Sequence, residues 1–207
     1  MNLRSVASAL TALLTCVPLL ASAGNVLLTD IASISVNGVP GVLRGGSTWA
    51  PAPAALGVQT VFDGSFRPAG TVWIDGTFWW DELATQGNAV SIEVQLNTAR
   101  SLDRFVVQGD DNEDYLVDWW DGAAWQLAYT AAAVFTFGME TRDSGLLTAV
   151  STDRLRIRAQ GGDGYYALSE VQAFEANRVP EPGSLALVVL AAAALVSTSR
   201  RRQRPGR

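Results

Sequence analysis

The densest group of oxygen ligands in the chain is the stretch 109–114, which reads Gly-Asp-Asp-Asn-Glu-Asp. Calcium prefers about six to eight oxygen ligands, and a loop with this many carboxylates repels itself unless a cation or water surrounds it. Asp110, Asn112 and Asp114 have the one-three-five spacing of an EF-hand start, but Tyr115 stands where the turn glycine belongs. Two alternatives follow: a solvated loop between strands, or another kind of calcium site formed by Asp110, Asp111, Asn112 and Asp114.

Tryptophan is the second residue type that suggests chemistry, since the chain has seven. Aromatic faces pack against the C–H faces of sugars, and neighbouring residues on a strand point to opposite sides of the sheet. One member of the Trp79-Trp80 pair is therefore expected to be accessible. We name Trp73, Trp79 and Trp80 as candidate glycan contacts, with packing in the core as the alternative.

Few residues are available for catalysis. The chain has no histidine, and its single cysteine, Cys16, lies in an apolar N-terminal stretch. These absences exclude histidine-based triads, cysteine nucleophiles and the usual zinc sites from the rest of the chain. A carboxylate pair for glycoside hydrolysis is compatible with the composition, but nothing in the sequence selects one. We therefore expect a protein that is not an enzyme.

The elements that position these residues are predicted to be strands. In 90–96, Val90, Ile92, Val94 and Leu96 alternate with polar residues, which is the period of a half-buried strand. The segment 154–159 alternates in the same way. Further candidate strands are 104–108, 115–120, 125–129 and 168–174. Short strands separated by Asp-Gly and Gly-rich turns predict an all-β fold, an antiparallel β-sandwich.

The order of several segments resembles a discoidin or galactose-binding-like jelly roll over about residues 61–175. The segments are 61–64, Trp73, Trp79-Trp80, 90–96, 105–110, 115–117, Trp120-Asp121-Gly122 with Trp125, 155–157 and 167–174. The resemblance implies loops at one end of the sandwich that bind a glycan or a lipid head group, often beside a structural calcium ion. The fold alone does not fix the ligand.

The N-terminus has the three parts of a secretory signal peptide. Arg4 precedes an apolar run, and the run ends in Ala21-Ser22-Ala23. The run is too short for a membrane span, and the small residues fit a cleavage site. Residues 1–23 are therefore predicted to be a signal peptide, and the mature chain is expected to be exported.

The C-terminus combines three features in order. Pro180, Glu181 and Pro182 are followed by an uncharged stretch at 183–199 and then by five arginines before the end. The 17 residues of the stretch would extend about 25 Å as a helix, which is at the lower end for a transmembrane helix. Arginines that flank a span stay on the cytoplasmic side, so the domain at 24–178 is expected outside the inner membrane.

This composite, from about residue 179 to 207, resembles the PEP-CTERM sorting signal of Gram-negative bacteria. The resemblance implies that an exosortase, a membrane-embedded cysteine transpeptidase, recognises Pro180, Glu181 and Pro182 and processes the precursor there. Proteins of this kind are associated with exopolysaccharide and biofilm matrix. The alternative is a simple membrane anchor whose prolines start a helix.

The charge distribution restricts the partners of the domain. Residues 24–179 hold 19 acidic residues and 9 arginines, a balance of −10. Such a domain repels phosphates, so a nucleic-acid partner is not expected. We predict an exported structural or exopolysaccharide-associated protein of the cell surface or extracellular matrix. The alternative function is a carbohydrate-binding module that recognises one glycan. Calcium is the one cofactor that the acidic loop suggests for such binding.

Overall fold

The computed structural model describes residues 24–85 and 88–176. The predicted signal peptide at 1–23, the predicted sorting motif Pro180-Glu181-Pro182 and the predicted transmembrane helix at 183–199 lie outside these residues. Across the described ranges, no helix is both long and apolar enough to cross a membrane.

The described chain is built almost entirely of strands. Two short helical segments occur, an α-helix (α1) at Val26–Thr29 and a 3₁₀ helix at Val58–Phe62. The strands are β1 Ile31–Asn37, β2 Phe78–Asp81, β3 Ser91–Gly109, β4 Asp114–Trp120, β5 Trp125–Ala131, β6 Glu140–Asp143, β7 Val150–Gln160 and β8 Tyr165–Glu175. All their pairings are antiparallel. The predicted antiparallel all-β class is confirmed.

The long strand β3 connects two layers of a sandwich-like sheet. Its first half lies between β1 and β7, with Val94 opposite both Ile34 and Leu155. The register shifts after Gln95, and the second half lies between β6 and β8, with Val107 opposite both Arg142 and Val171. Strand β7 continues to β4 and β5, while β8 continues to β2.

The two halves of β3 contribute to a single core. Ile92 and Val94 from the first half join Phe105 and Val107 from the second half in one buried cluster. Leu155, Ile157, Leu168 and Val171 complete its centre. Each fully buried side chain of this size stabilises the fold by about 1.5–3 kcal/mol. The inward faces predicted from alternation in 90–96 and 154–159 are confirmed for these residues.

A second, smaller cluster covers the other side of β2. Trp79 packs there with Trp73, Met139 and Ala167, while Trp80, its neighbour on the strand, packs into the main core. The covering residues come from the irregular segment between β1 and β2 and from the β5–β6 connection. Strand β2 therefore has no solvent-facing side, because both of its faces carry large apolar side chains that pack against other elements.

Candidate functional site

A cleft of about 350 Å³ opens where four connections meet. The connections are the β1–β2 segment, the β3–β4 loop, the β5–β6 loop and the β7–β8 turn. Its lining residues are Trp49, Val72, Trp73, Asp110, Asp111, Asn112, Phe135, Thr136, Phe137, Gly138 and Asp163. One wall is acidic and polar, and the other is aromatic.

The acidic wall begins where β3 ends. A Cβ atom on Gly109 would lie 2.6 Å from the ring of Tyr115, so glycine is what allows the strand to pass this buried tyrosine. The Tyr115 hydroxyl accepts hydrogen bonds from Asp110 N (3.2 Å) and Ala167 N (3.0 Å). Arg142 donates to the backbone carbonyls of Asp110 (2.8 Å) and Glu113 (3.2 Å). These contacts fix the backbone of the loop. Within the described residues, the side-chain carboxyl groups of Asp110 and Glu113 form no ion pair with an arginine.

Burial raises the pKa values of Asp110 and Glu113 in this loop. Burial, and then the charge of Asp111, raises the pKa of Asp110 to about 7. Burial, and then the charge of Asp110, raises the pKa of Glu113 to about 9, so Glu113 is protonated at neutral pH. The side-chain amide of Asn112, oriented with its nitrogen toward the carboxyl groups, donates to Glu113 Oε1 at 2.6 Å and to Asp110 Oδ2 at 3.3 Å. Asn112 thus bridges the two acids.

The aromatic wall is the tip of the β5–β6 loop. Phe135 and Phe137 are 76% and 62% exposed, and no residue from 131 to 139 is charged. Phe135 has a φ of 55°, an uncommon backbone conformation for a bulky residue. The Asp111 carbonyl accepts from Val134 N (2.8 Å) and Phe135 N (3.1 Å), which supports this conformation. The β3–β4 loop therefore fixes the backbone of the β5–β6 loop through hydrogen bonds.

Trp49 and Trp73 form the remaining side of the cleft. Trp49 is 36% exposed and contacts the buried Trp73 edge to face, with ring centroids 5.7 Å apart. The segment that carries Trp49 is held by Arg44, which forms an ion pair of 2.7 Å with the fully buried Asp81. The Ser47 hydroxyl forms a further hydrogen bond of 3.1 Å with the Tyr165 hydroxyl.

The structure separates the three tryptophans predicted to contact a glycan. Trp73 lines the cleft, although it is only 4% exposed. Trp79 and Trp80 are 1% and 2% exposed, so the prediction that they contact a glycan is wrong. Alternation along β2 does direct the two indoles to opposite sides, but the second side is also covered, which the sequence pattern did not indicate.

The four residues named for calcium are used differently. The carboxylate of Asp111 accepts from Gly138 N (3.1 Å), and that of Asp114 accepts from Ala133 N (2.9 Å), so both support the aromatic loop. In the described part of the chain, no group of three or more aspartate, glutamate, histidine or cysteine side chains is arranged to hold a metal ion. The geometry therefore gives no support to a calcium site at Asp110, Asp111, Asn112 and Asp114.

Sequence reasoning did not identify seven of the eleven residues that line the cleft, among them Trp49, Phe135, Phe137 and Asp163. Phe135 and Phe137 lie in an apolar run that resembles a buried strand, and Trp49 lies in a Gly- and Pro-rich segment. Asp163 belongs to the glycine-rich turn between β7 and β8, and the sequence pattern marks this turn only as a boundary between strands. A signal was present in the run: Gly138 directly follows Phe137, and a glycine there indicates a turn, which the structure has with a φ of 67°.

Comparisons with known proteins identify relatives only by structure. No family model and no curated sequence matches the chain. Chitosan-binding module 1 of a chitosanase/glucanase from Paenibacillus sp. IK-5 is similar over 73% of this chain and 98% of its own, with 17% identity and a TM-score of 0.44. The family 32 carbohydrate-binding module of NanJ from C. perfringens, solved with galactose, is similar over 69% and 93%, with 14% identity and a TM-score of 0.44. That of EndoD from Streptococcus pneumoniae is similar over 74% and 100%, with 12% identity and a TM-score of 0.45.

Proposed function

We propose that the described domain is a carbohydrate-binding module whose binding site is the cleft between Phe137 and Asp110. The observation that carries the proposal is the pairing of exposed aromatic rings with carboxyl and amide groups in one concave site. A sugar ring has an apolar C–H face and a rim of hydroxyl groups. Phe135 and Phe137 can pack against the C–H face. Asp111, Asn112 and Asp163 can form hydrogen bonds with the hydroxyl groups.

The size of the cleft favours a short ligand. Its volume of about 350 Å³ lies near the lower end of the range of about 300–1,000 Å³ typical of small-molecule sites. The proposed ligand is a terminal sugar or a short segment of a glycan, rather than a long polymer lying across the surface. Binding through few contacts of this kind is expected to be weak for each domain.

Saturable binding is the test of this function. The full chain, kept in a mild detergent, is titrated calorimetrically with a panel of neutral, amino and acidic oligosaccharides, and wild type is compared with the Phe135→Ala/Phe137→Ala double variant. The proposal predicts saturable binding that the double variant loses. A purely structural role for the domain predicts no saturable binding to any glycan of the panel.

Our proposal is binding without catalysis. The cleft contains carboxyl groups, so the oligosaccharide recovered from each titration is also analysed for new reducing ends. Glycan recovered intact agrees with a binding module. Shortened glycan, with cleavage that disappears in the Asp110→Asn variant, would instead assign a hydrolytic role.

We further propose that the precursor is exported and sorted to the cell surface or matrix by an exosortase, where it associates with exopolysaccharide. The support comes from the sequence of the tail: Pro180-Glu181-Pro182, the uncharged stretch at 183–199 and the terminal arginines. The C-terminal mass of the product is measured in hosts with and without an exosortase. Loss of the tail only in the first host agrees with sorting. An intact tail in both hosts would leave a membrane-tethered surface domain.

A further inference from the structure

The side-chain carboxylates of the cleft, which belong to Asp110, Asp111 and Asp163, form no direct ion pair in the part of the chain that the structure describes. Two arginines near them bind other groups: Arg142 donates to backbone carbonyls, and Arg44 pairs with Asp81 and donates to the backbone carbonyl of Asp163 (3.3 Å). None of the lining residues is an arginine, and the chain contains no lysine.

The acidic side chains of the cleft offer few ligands to a bare metal ion. A metal ion needs several oxygen ligands around one point, and no group of three acids in the described chain is arranged in that way. Half of the cleft is also apolar, with Phe135, Phe137 and Trp49 opposite the acids. A cation that carries its own apolar body fits both halves, because aromatic faces attract ammonium groups and also pack against C–H groups.

A second observation at the same wall also indicates a ligand. Trp73 lines the cleft, is 4% exposed, and its indole Nε1 has no hydrogen-bond acceptor in the described part of the chain. An indole N–H that is buried in this way ordinarily finds a partner. A hydroxyl group of a ligand, reached directly or through one water molecule, is a suitable acceptor.

We propose that the cleft selects sugars that carry a free, positively charged amine, with the ammonium group against the exposed Asp163 and the sugar ring against Phe135 and Phe137. This inference rests on the proposed carbohydrate binding and narrows it to amino sugars that are not N-acetylated. Acetylation removes the charge and adds bulk at the amine, so the same glycan with acetyl groups loses the ion pair. Uronic acid glycans are excluded by repulsion.

The test compares two ligands that differ only at the amine. A β-1,4-linked glucosamine tetramer and the N-acetylated tetramer are titrated into the full chain by calorimetry at pH 6 and low salt. The free-amine tetramer is expected to bind at least tenfold more tightly. Asp163→Asn is expected to reduce that preference several-fold. Asp110→Asn is expected to change it less, because burial raises the pKa of Asp110 to about 7 and the group is mostly protonated at pH 6. Asp153→Asn, which removes a surface acid outside the cleft, is the matched control.

Asp163 is exposed, so its variant is expected to fold even if the Asp110 variant does not. Raising the salt concentration is expected to weaken only the free-amine ligand, because salt screens its charge. Equal or tighter binding of the acetylated tetramer would overturn this inference and leave carbohydrate binding intact. If no oligosaccharide of any charge binds, the inference and the proposed function are overturned together.

Discussion

The backbone N–H of Gly138 donates a hydrogen bond of 3.1 Å to the carboxylate of Asp111, which joins the aromatic wall of the cleft to the acidic wall. Gly138 has a φ of 67°, and a Cβ atom added there would lie 2.3 Å from the Thr71 carbonyl oxygen. Gly138→Ala is therefore expected to lower stability by about 2 kcal/mol more than a matched substitution and to weaken glycan binding.

Gly145→Ala is that matched substitution. Gly145 has a φ of 61° but open space around its Cα, so it reports only the backbone cost of about 1–2 kcal/mol. Thermal unfolding of both variants separates the cost of backbone strain from the cost of the steric clash with Thr71. Equal losses in the two variants would show that the contact between Gly138 and Thr71 relaxes without cost.

Phe135 and Phe137 are expected to serve binding and not stability, because more than half of each side chain is exposed. Replacing either residue by alanine is expected to reduce glycan affinity about tenfold, as truncation of an aromatic contact commonly does, and to change the melting temperature little. Leu146→Ala is the control, since Leu146 is 81% exposed and does not line the cleft. A glycan affinity that is unchanged in both phenylalanine variants would contradict the assigned site.

Glu113 is expected to make the domain less stable as pH rises. Burial raises the pKa of Glu113 from an ordinary 4.5 to about 9, so between these values the folded state binds a proton that the unfolded state has released. The contribution of this group is complete below about pH 4.5 and is lost progressively as pH rises to about 9. Glu113→Gln, which keeps the neutral form, is expected to raise the melting temperature at pH 8.5 and not at pH 4.

Glu93→Gln provides the comparison, because it removes a carboxyl group from a partly exposed position on β3. Denaturant unfolding across pH 4 to 9 measures the free energy of unfolding for the wild type and both variants. The prediction fails if Glu113→Gln and wild type have parallel pH profiles.

The ion pair between Arg44 and Asp81 is expected to stabilise both the domain and the segment that carries Trp49. Asp81 is fully buried, and Arg44 also lies over the ring of Tyr165 at 3.9 Å. Arg44→Ala leaves a buried carboxylate unpaired, and a loss of about 2–3 kcal/mol is expected after allowance for the partial exposure of the arginine.

Arg154→Ala tests the same chemistry at the surface. Its partner Asp153 is 3.8 Å away, and both side chains are almost half exposed. Exposed pairs of this kind contribute at most about 1 kcal/mol. Chemical denaturation of both variants is the measurement, and similar losses would contradict the special role given to the buried pair.

Alternation predicted the strands well, because one face of each strand packs into the core. Val94 and Leu155 were assigned to inward faces from the sequence, and they lie opposite each other in the β3–β7 pair. The same alternation in 154–159 directs the arginines of β7 to the face opposite Leu155. That Arg156 and Arg158 both bind Asp118 on β4 depends on strand order, which the local pattern does not contain.

The cleft was harder to predict because its residues come from four separate connections. Asp110 was recognised as part of a candidate site, since acidic side chains are conspicuous in any sequence. Phe135 was not singled out and Trp79 was named as a glycan contact, because apolar residues in loops and strands look alike without knowledge of what covers them. The irregular segment before β2 covers Trp79, and no period in the sequence reveals that cover.

The course of β3 also determines when the domain can assemble. The first half of β3 pairs with β7 and the second half pairs with β6 and β8. The first layer therefore cannot close before Gln160 has emerged, and the second cannot close before Glu175 has emerged. Contacts this distant in sequence make folding slow. A growing chain therefore cannot complete its fold until the residues up to Glu175 have emerged.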